Sequence, residues 1–189
     1  MSERPRIGLL FGSFNPVHTG HLILAEHFAT RTDLAEVWLV VSPQSPFKAA
    51  ADLLPEAQRL RLVSLALEGN PRLRAEDIEF GLPRPSYTIA TLDALRLCYP
   101  GHDFVLLMGA DNLPGLPRWQ ESARLLAEVD IYVYPRPGTE PPDLASFPRV
   151  QVLEAPLLDI SATYIRQSLR AGQSIRYLVP AAVEAELLQ

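Results

Sequence analysis

Apolar runs short enough to be strands alternate with segments of helical periodicity along nearly the whole chain, and this order constrains the fold most. Arg6–Phe11, Glu36–Val41, Leu73–Ile78, Phe104–Met108, Ile131–Tyr134 and Val150–Leu153 are the predicted strands. Leu22–Thr30, Pro55–Glu68, Thr88–Leu97, Leu116–Ala127, Ser161–Arg170 and Ala181–Leu188 are the predicted helices. In Pro55–Glu68 the apolar face is broad, made of Leu60, Leu62, Val63, Leu65, Ala66 and Leu67. Strands separated by helices imply the α/β class: a doubly wound parallel sheet with helices on both faces, here closed by C-terminal helices. The 189 residues suit one domain, spanning 1–189. No internal repeat or long linker asks for a second.

Ligands of such sheets sit beyond the carboxyl ends of the strands, and the most suggestive residues fall there. Directly after the first strand comes Gly12-Ser13-Phe14-Asn15-Pro16-Val17-His18-Thr19-Gly20-His21-Leu22. A small-residue turn entering a helix aims backbone N–H groups and the positive end of the helix dipole at an anion. His18 and His21, three apart, lie on one helix face and can reach one ligand. Gly12 and Gly20 let a nucleotide approach the backbone. Other readings stand beside this one. Many glycine turns after strands are only loops, and either histidine alone suits packing. The pair also suits zinc, although Cys98 is distant in sequence and no His-Glu-x-x-His pattern is present. Two of the chain's four histidines in one turn favour phosphate handling.

Lys48 is the chain's only lysine, in the loop after the second strand. Its compact ammonium suits a phosphate; a chance surface position is the alternative. Gly109-Ala110-Asp111-Asn112 follows the fourth strand and Arg136 the fifth, so the candidates converge on one edge of the sheet. No Gly-x-Gly-x-x-Gly follows the first strand, which disfavours a dinucleotide oxidoreductase. The net charge of −5 argues against a broad nucleic-acid or acidic-membrane surface. No apolar run approaches membrane-spanning length, and no secretory signal is expected. A single cysteine cannot close an internal disulfide, which fits a reducing cytoplasm; Cys98 is expected to be buried at a helix end. The proline-rich stretch Pro135–Pro148 suits a rim on the site, a contact between copies in a homo-oligomer, or a plain surface loop.

The string Gly12–His21 resembles the signature of the nucleotidylyltransferase superfamily, (G/S/T)-x-F-(D/N)-P-x-H-x-G-H after the first strand. Ile160-Ser161-Ala162-Thr163-Tyr164-Ile165-Arg166 resembles its second element, I-S-S-T-x-I-R. Ala162 stands where a serine is common, and Phe11 where many members have glycine. Three further segments are similar to elements of bacterial nicotinate-nucleotide adenylyltransferases: Pro85-Ser86-Tyr87-Thr88, Gly109-Ala110-Asp111-Asn112 followed by Trp119, and Tyr134-Pro135-Arg136-Pro137-Gly138. Gln120 follows Trp119 where several relatives place an aromatic residue. The match runs from Ile7 to Pro180.

The resemblance implies a Rossmann-like nucleotidylyltransferase fold and transfer of AMP from ATP to nicotinate mononucleotide, a step in NAD synthesis. An acceptor that is already a phosphate is ionised at neutral pH, so positioning and electrostatics suffice without a base or covalent nucleophile. By resemblance His18, His21, Lys48 and Arg166 carry the chemistry. Gly12, Ser13, Phe14, Gly109, Asp111, Ile160, Ser161 and Thr163 join His18, His21 and Arg166 around ATP. Ser13, Lys48, Ser86, Tyr87, Thr88, Trp119 and Arg136 receive the pyridine nucleotide. Mg²⁺ is expected on the nucleotide's phosphates, with no protein cage. Taken singly, Ser161 suits a helix N-cap, Trp119 a helix core and Tyr87 a packing contact at a helix start. Rival acceptors are nicotinamide mononucleotide, phosphopantetheine, and sugar or alcohol phosphates. A nucleotide-binding module without catalysis is the rival of another class.

Overall fold

All six predicted strands are present and join one parallel sheet. The computed structural model describes residues 4–43, 53–136, 144, 147–156 and 158–189. The strands are β1 (Arg6–Gly12), β2 (Glu36–Val41), β3 (Leu73–Glu76), β4 (Asp103–Gly109), β5 (Asp130–Tyr134) and β6 (Val150–Val152), in the spatial order β3-β2-β1-β4-β5-β6. In register, Leu9 faces Trp38 of β2 on one side and Leu106 of β4 on the other. The strand order reverses direction at the β1/β4 pair, which opens a crevice beyond their carboxyl ends.

The helices are α1 (Thr19–Arg31), α2 (Glu56–Leu67), α3 (Thr88–Cys98), α4 (Ser122–Glu128), α5 (Ala162–Arg170) and α6 (Ala181–Leu187). They cover both faces, so the central strands bury alternate side chains in two separate cores. Leu10, Val37, Leu39, Val105, Leu107 and Tyr132 pack under α1, α2, α5 and α6. Ile7, Leu9, Trp38, Val40, Leu106, Met108 and Ile131 pack under α3 and α4. Burial on both sides is why these strands read as unbroken apolar runs rather than as polar–apolar alternation. At the amino ends, far from the crevice, Arg6 ties β1 to β5: it pairs with Asp33 and donates to Asp130 at 2.6 Å and to the Tyr132 hydroxyl at 3.0 Å.

Four expectations are corrected. Helix α1 starts at Thr19 rather than Leu22, because His18, with extended backbone, takes the N-cap position. Histidine is not among the usual capping residues, so the apolar pattern alone placed the start too late. The predicted strand Leu73–Ile78 ends at Glu76, and Ile78 opens a short 3-10 turn, Ile78–Gly81. The predicted helix Leu116–Ala127 is broken. A 3-10 segment, Ala110–Arg118, contains Pro114 and Pro117; the backbone extends at Trp119, and Glu121 turns left-handed (φ 50°) before α4. The prolines remove the N–H groups a continuous α-helix needs. Cys98 does end a helix, but it is exposed rather than buried.

Candidate active site at the carboxyl edge of the sheet

The turn between β1 and α1 is held in one unusual conformation. Phe14 has φ 42°, a left-handed backbone that costs a bulky residue energy. Its ring is buried, lies over Gly12 so closely that a Cβ there would be 2.9 Å from it, and meets His21 edge-on at 5.0 Å between centroids. Glycine at position 12 is therefore required by a close approach. The His18 and His21 rings stack, with centroids 3.6 Å apart and planes 23° from parallel. The His18 N–H donates to Nδ1 of His21 at 3.2 Å. That acceptor role leaves the His21 ring proton on Nε2, as a donor. His18 is buried, its Nδ1 has no hydrogen-bond partner among the described residues, and burial followed by the charge of Arg136 lowers its pKa from 6.5 to about 4.

The second motif docks on this turn from 151 residues away: Nη1 of Arg166 donates to the Asn15 carbonyl at 2.8 Å. The same guanidinium donates to Oγ1 of Thr163 at 3.3 Å, one turn back on α5. Ser161 is the N-cap of α5, its hydroxyl accepting from the Tyr164 N–H at 3.2 Å. Its own O–H remains available as a donor. Ile160 adjoins Gly20, whose Cβ would lie 3.8 Å from that of Ile160. Thr19 fastens the head of α1 to the C-terminal region, its N–H bonding the Leu178 carbonyl at 2.8 Å and its hydroxyl the Tyr177 carbonyl at 3.0 Å.

A third group stands beyond β4 and β5. The Asp111 carboxylate and the Arg136 guanidinium, 3.6 Å apart, both lie over Gly109, where a Cβ would collide with the Asp111 side chain and stand 2.9 Å from Nε of Arg136. Arg136 also sits over the Tyr134 ring at 5.5 Å. Its influence on His18 brings this group into the electrostatic range of the histidine pair.

Of the residues assigned to the pyridine nucleotide, Ser13 lies on the turn after β1 and Arg136 beyond β5, whereas Tyr87, Thr88 and Trp119 belong to the other face of the sheet. Tyr87 is the exposed N-cap of α3 and Thr88 its first residue. Trp119, at the corner between the 3-10 segment and α4, packs partly against the core under α3 and α4. It is thus neither fully core nor on a helix. The histidine pair and Arg166 belong to α1 and α5 on the opposite face. Ser86 lies beside the buried carboxyl of Glu79, which accepts from the Thr91 hydroxyl at 2.7 Å and also has Ser42 beside it. Burial raises the Glu79 pKa. Lys48 and the Pro137-Gly138 pair lie outside the described residues.

Three residues support this site without a role in the sequence reading: Asn15, which lay inside the quoted motif, and Glu79 and Arg59, which went unnoticed. Asn15, 2 % exposed, accepts from the Leu54 N–H through Oδ1 at 3.0 Å while its carbonyl receives Arg166. Glu79 is likewise 2 % exposed and Arg59 1 %. A signal for Arg59 existed: it precedes Leu62 and Val63 by three and four residues, which puts it on the apolar face of α2. Among the described residues no cluster of three or more His, Cys, Asp or Glu could hold a metal ion. Among them, too, no helix is long and apolar enough to cross a membrane.

Residues 9–168 match the model of the cytidylyltransferase-like family. A probable nicotinate-nucleotide adenylyltransferase of Cytophaga hutchinsonii is 50 % identical over 183 residues, 97 % of this chain and 95 % of that protein. A protein of the same description from Flavobacterium johnsoniae is 47 % identical over 180 residues, 94 % of this chain and 93 % of its own. Among solved structures, nicotinic acid mononucleotide adenylyltransferase of Plasmodium falciparum, complexed with NaAD, superposes with a TM-score of 0.80. It covers 97 % of this chain and 95 % of that one; at 17 % identity the likeness is one of fold. With both histidine and arginine motifs meeting on one turn, and with relatives matched end to end, the chain belongs to the nicotinate-nucleotide adenylyltransferases of the cytidylyltransferase-like family.

Proposed function

We propose that this protein transfers the AMP group of ATP to nicotinate mononucleotide, forming nicotinate adenine dinucleotide and pyrophosphate. A phosphate oxygen of the acceptor attacks the α-phosphorus, and the bond from that phosphorus to the bridging oxygen of pyrophosphate breaks. The observation that carries the reading is the stacked His18–His21 pair at the head of α1, with Arg166 bound to the same turn. It gathers donors where phosphate charge grows, without a nucleophile or base, which is what transfer to an ionised acceptor demands.

In this reading Nε2 of His21 and the ring of His18 donate to the triphosphate, and an arriving phosphate offsets the burial that keeps His18 neutral. Arg166, Thr163 and Ser161 hold the departing β,γ-phosphates. Gly12, Ser13, Phe14 and Ile160 shape the pocket wall, and Gly109 lets the nucleotide pass close to β4. Asp111 takes the ribose hydroxyls. Ser86, Tyr87 and Thr88 receive the pyridine carboxylate at the start of α3, and Trp119 offers its ring to the pyridine. Arg136 and Lys48 neutralise phosphate. Mg²⁺ enters as part of MgATP, bound by the phosphates; the described residues provide no cage of their own.

The direct test is pyrophosphate release with ATP and a panel of phosphate acceptors. Fastest turnover is expected with nicotinate mononucleotide; fastest turnover with phosphopantetheine would remove the acceptor assignment, and no product from any acceptor would remove the reaction. His18→Ala is expected to lower kcat by about 10²–10³-fold, the scale of one donor aimed at transition-state charge; a change confined to KM would contradict that role. Trp119→Ala is expected to weaken the pyridine nucleotide by roughly 1–3 kcal/mol, as for a lost base stack, while ATP affinity holds. The lowered pKa of His18 has a stability consequence. Between pH 6.5 and about 4 the unfolded chain takes up a proton that the folded one refuses. Stability present above pH 6.5 is therefore lost as pH falls toward 4, to the extent of about 3 kcal/mol. His18→Gln is expected to flatten that acid slope in denaturant melts run across the same range.

A further inference from the structure

Arg59 is a buried cation without a carboxylate partner among the hydrogen bonds that hold it. It is 1 % exposed, on the inner face of α2, and each bond it donates ends on a main-chain carbonyl. Nε donates to Leu54 at 3.0 Å, Nη1 to Ser13 at 2.6 Å and Ser42 at 2.7 Å, and Nη2 to Pro43 at 2.9 Å. Glu56, the acid with a charge effect on it, is engaged with Arg84 at 2.8 Å. Taking a guanidinium out of water costs several kcal/mol, and an aliphatic residue beside Leu62 and Val63 would pack without that cost. What the charge supplies is a rigid, planar fork that joins three separate pieces of backbone: the turn after β1, the end of β2 and the approach to α2.

Those pieces lead to both halves of the site. On one side Ser13 opens the turn that carries His18, and Leu54 is bound to Asn15, which receives Arg166. On the other, Ser42 lies beside the buried carboxyl of Glu79, which also has Ser86 beside it and accepts from Thr91 of α3. Hydrogen bonds therefore run from α5 through the turn to Arg59 and the end of β2, where Ser42 adjoins the Glu79 carboxyl that accepts from Thr91 on the opposite face. We propose that Arg59 is a positioning residue of the transfer reaction, holding the triphosphate turn in register with the acceptor-side helix start so that occupation of one subsite favours occupation of the other. This rests on the acceptor assignment made above.

The test is the coupling between ligands, which a purely structural residue would not move. In the native protein, saturating α,β-methylene-ATP is expected to tighten nicotinate mononucleotide at least 5-fold by calorimetry, with the reciprocal effect of the same size. In Arg59→Lys, which keeps the charge but not the fork, the coupling is expected to fall below 2-fold. Each ligand alone should bind within 3-fold of native, and kcat per folded molecule should drop at least 10-fold. Native coupling absent, or coupling and kcat in folded Arg59→Lys within 2-fold of native, overturns the proposal. If the variant does not fold, hydrogen exchange on the native protein decides. With α,β-methylene-ATP alone, protection should reach the Ser86–Thr91 segment; protection confined to residues 12–21 overturns the proposal. Should the acceptor panel select another phosphate, that compound replaces nicotinate mononucleotide in the same cycle, so a wrong acceptor and a wrong role for Arg59 give different results.

Discussion

Pairing β1 with β2 on one side and β4 on the other leaves its backbone without a free edge and its side chains without a solvent face. Everything functional follows from that enclosure. Parallel neighbours must be joined by crossovers, and the crossovers carry the helices that cover both faces. The chain leaves β1 and β4 at the same end, on either side of the strand-order reversal, so the turn bearing His18 and the loop bearing Asp111 are brought together. The strained Phe14 backbone is tolerated because its ring is fixed between Gly12 and His21 inside that packed frame.

Electrostatics within the crevice run against the charge of the whole molecule. The chain is acidic overall, yet Arg136, Arg166 and the head of α1 face the same crevice, and the buried Arg59 lies behind the turn. The acids nearby are engaged: Asp111 pairs with Arg136, and Glu79 accepts from the Thr91 hydroxyl where burial favours its neutral form. Concentrating the positive groups at one edge, instead of spreading them, suits a small polyanion better than an extended one.

The sheet was legible from residues alone because two buried faces produce unbroken apolar runs, and those runs found all six strands. Boundaries failed where local chemistry departed from the usual vocabulary. His18 caps a helix that serine or aspartate would have announced, and Pro114 and Pro117 hide a 3-10 segment inside what reads as helical periodicity. The residues proposed for the triphosphate were legible because they are neighbours in sequence: one turn and one helix start. Of the residues proposed for the acceptor, Lys48 and Arg136 stood out by charge and position, but Tyr87 and Trp119 were visible only through resemblance, since a tryptophan beside apolar residues or a tyrosine before a helix has an ordinary packing explanation. Arg59 was missed because a charge in an amphipathic segment is normally solvated. Its meaning depends on carbonyls from Ser13, Ser42 and Pro43, which no spacing rule connects to it.

The division of the site between the two faces of the sheet has a consequence for how such a protein can diversify. Under the proposed assignment, helices α1 and α5 on one face hold most of what handles the donor, whereas α3 and the corner at Trp119 on the other hold what meets the pyridine ring. In that reading, substitutions on the second layer that leave the Arg59 link in place retune which compound is adenylylated while keeping the apparatus that grips ATP. A lineage with this architecture could exchange one acceptor for another through changes to half of its surface, retaining its reaction while altering its product.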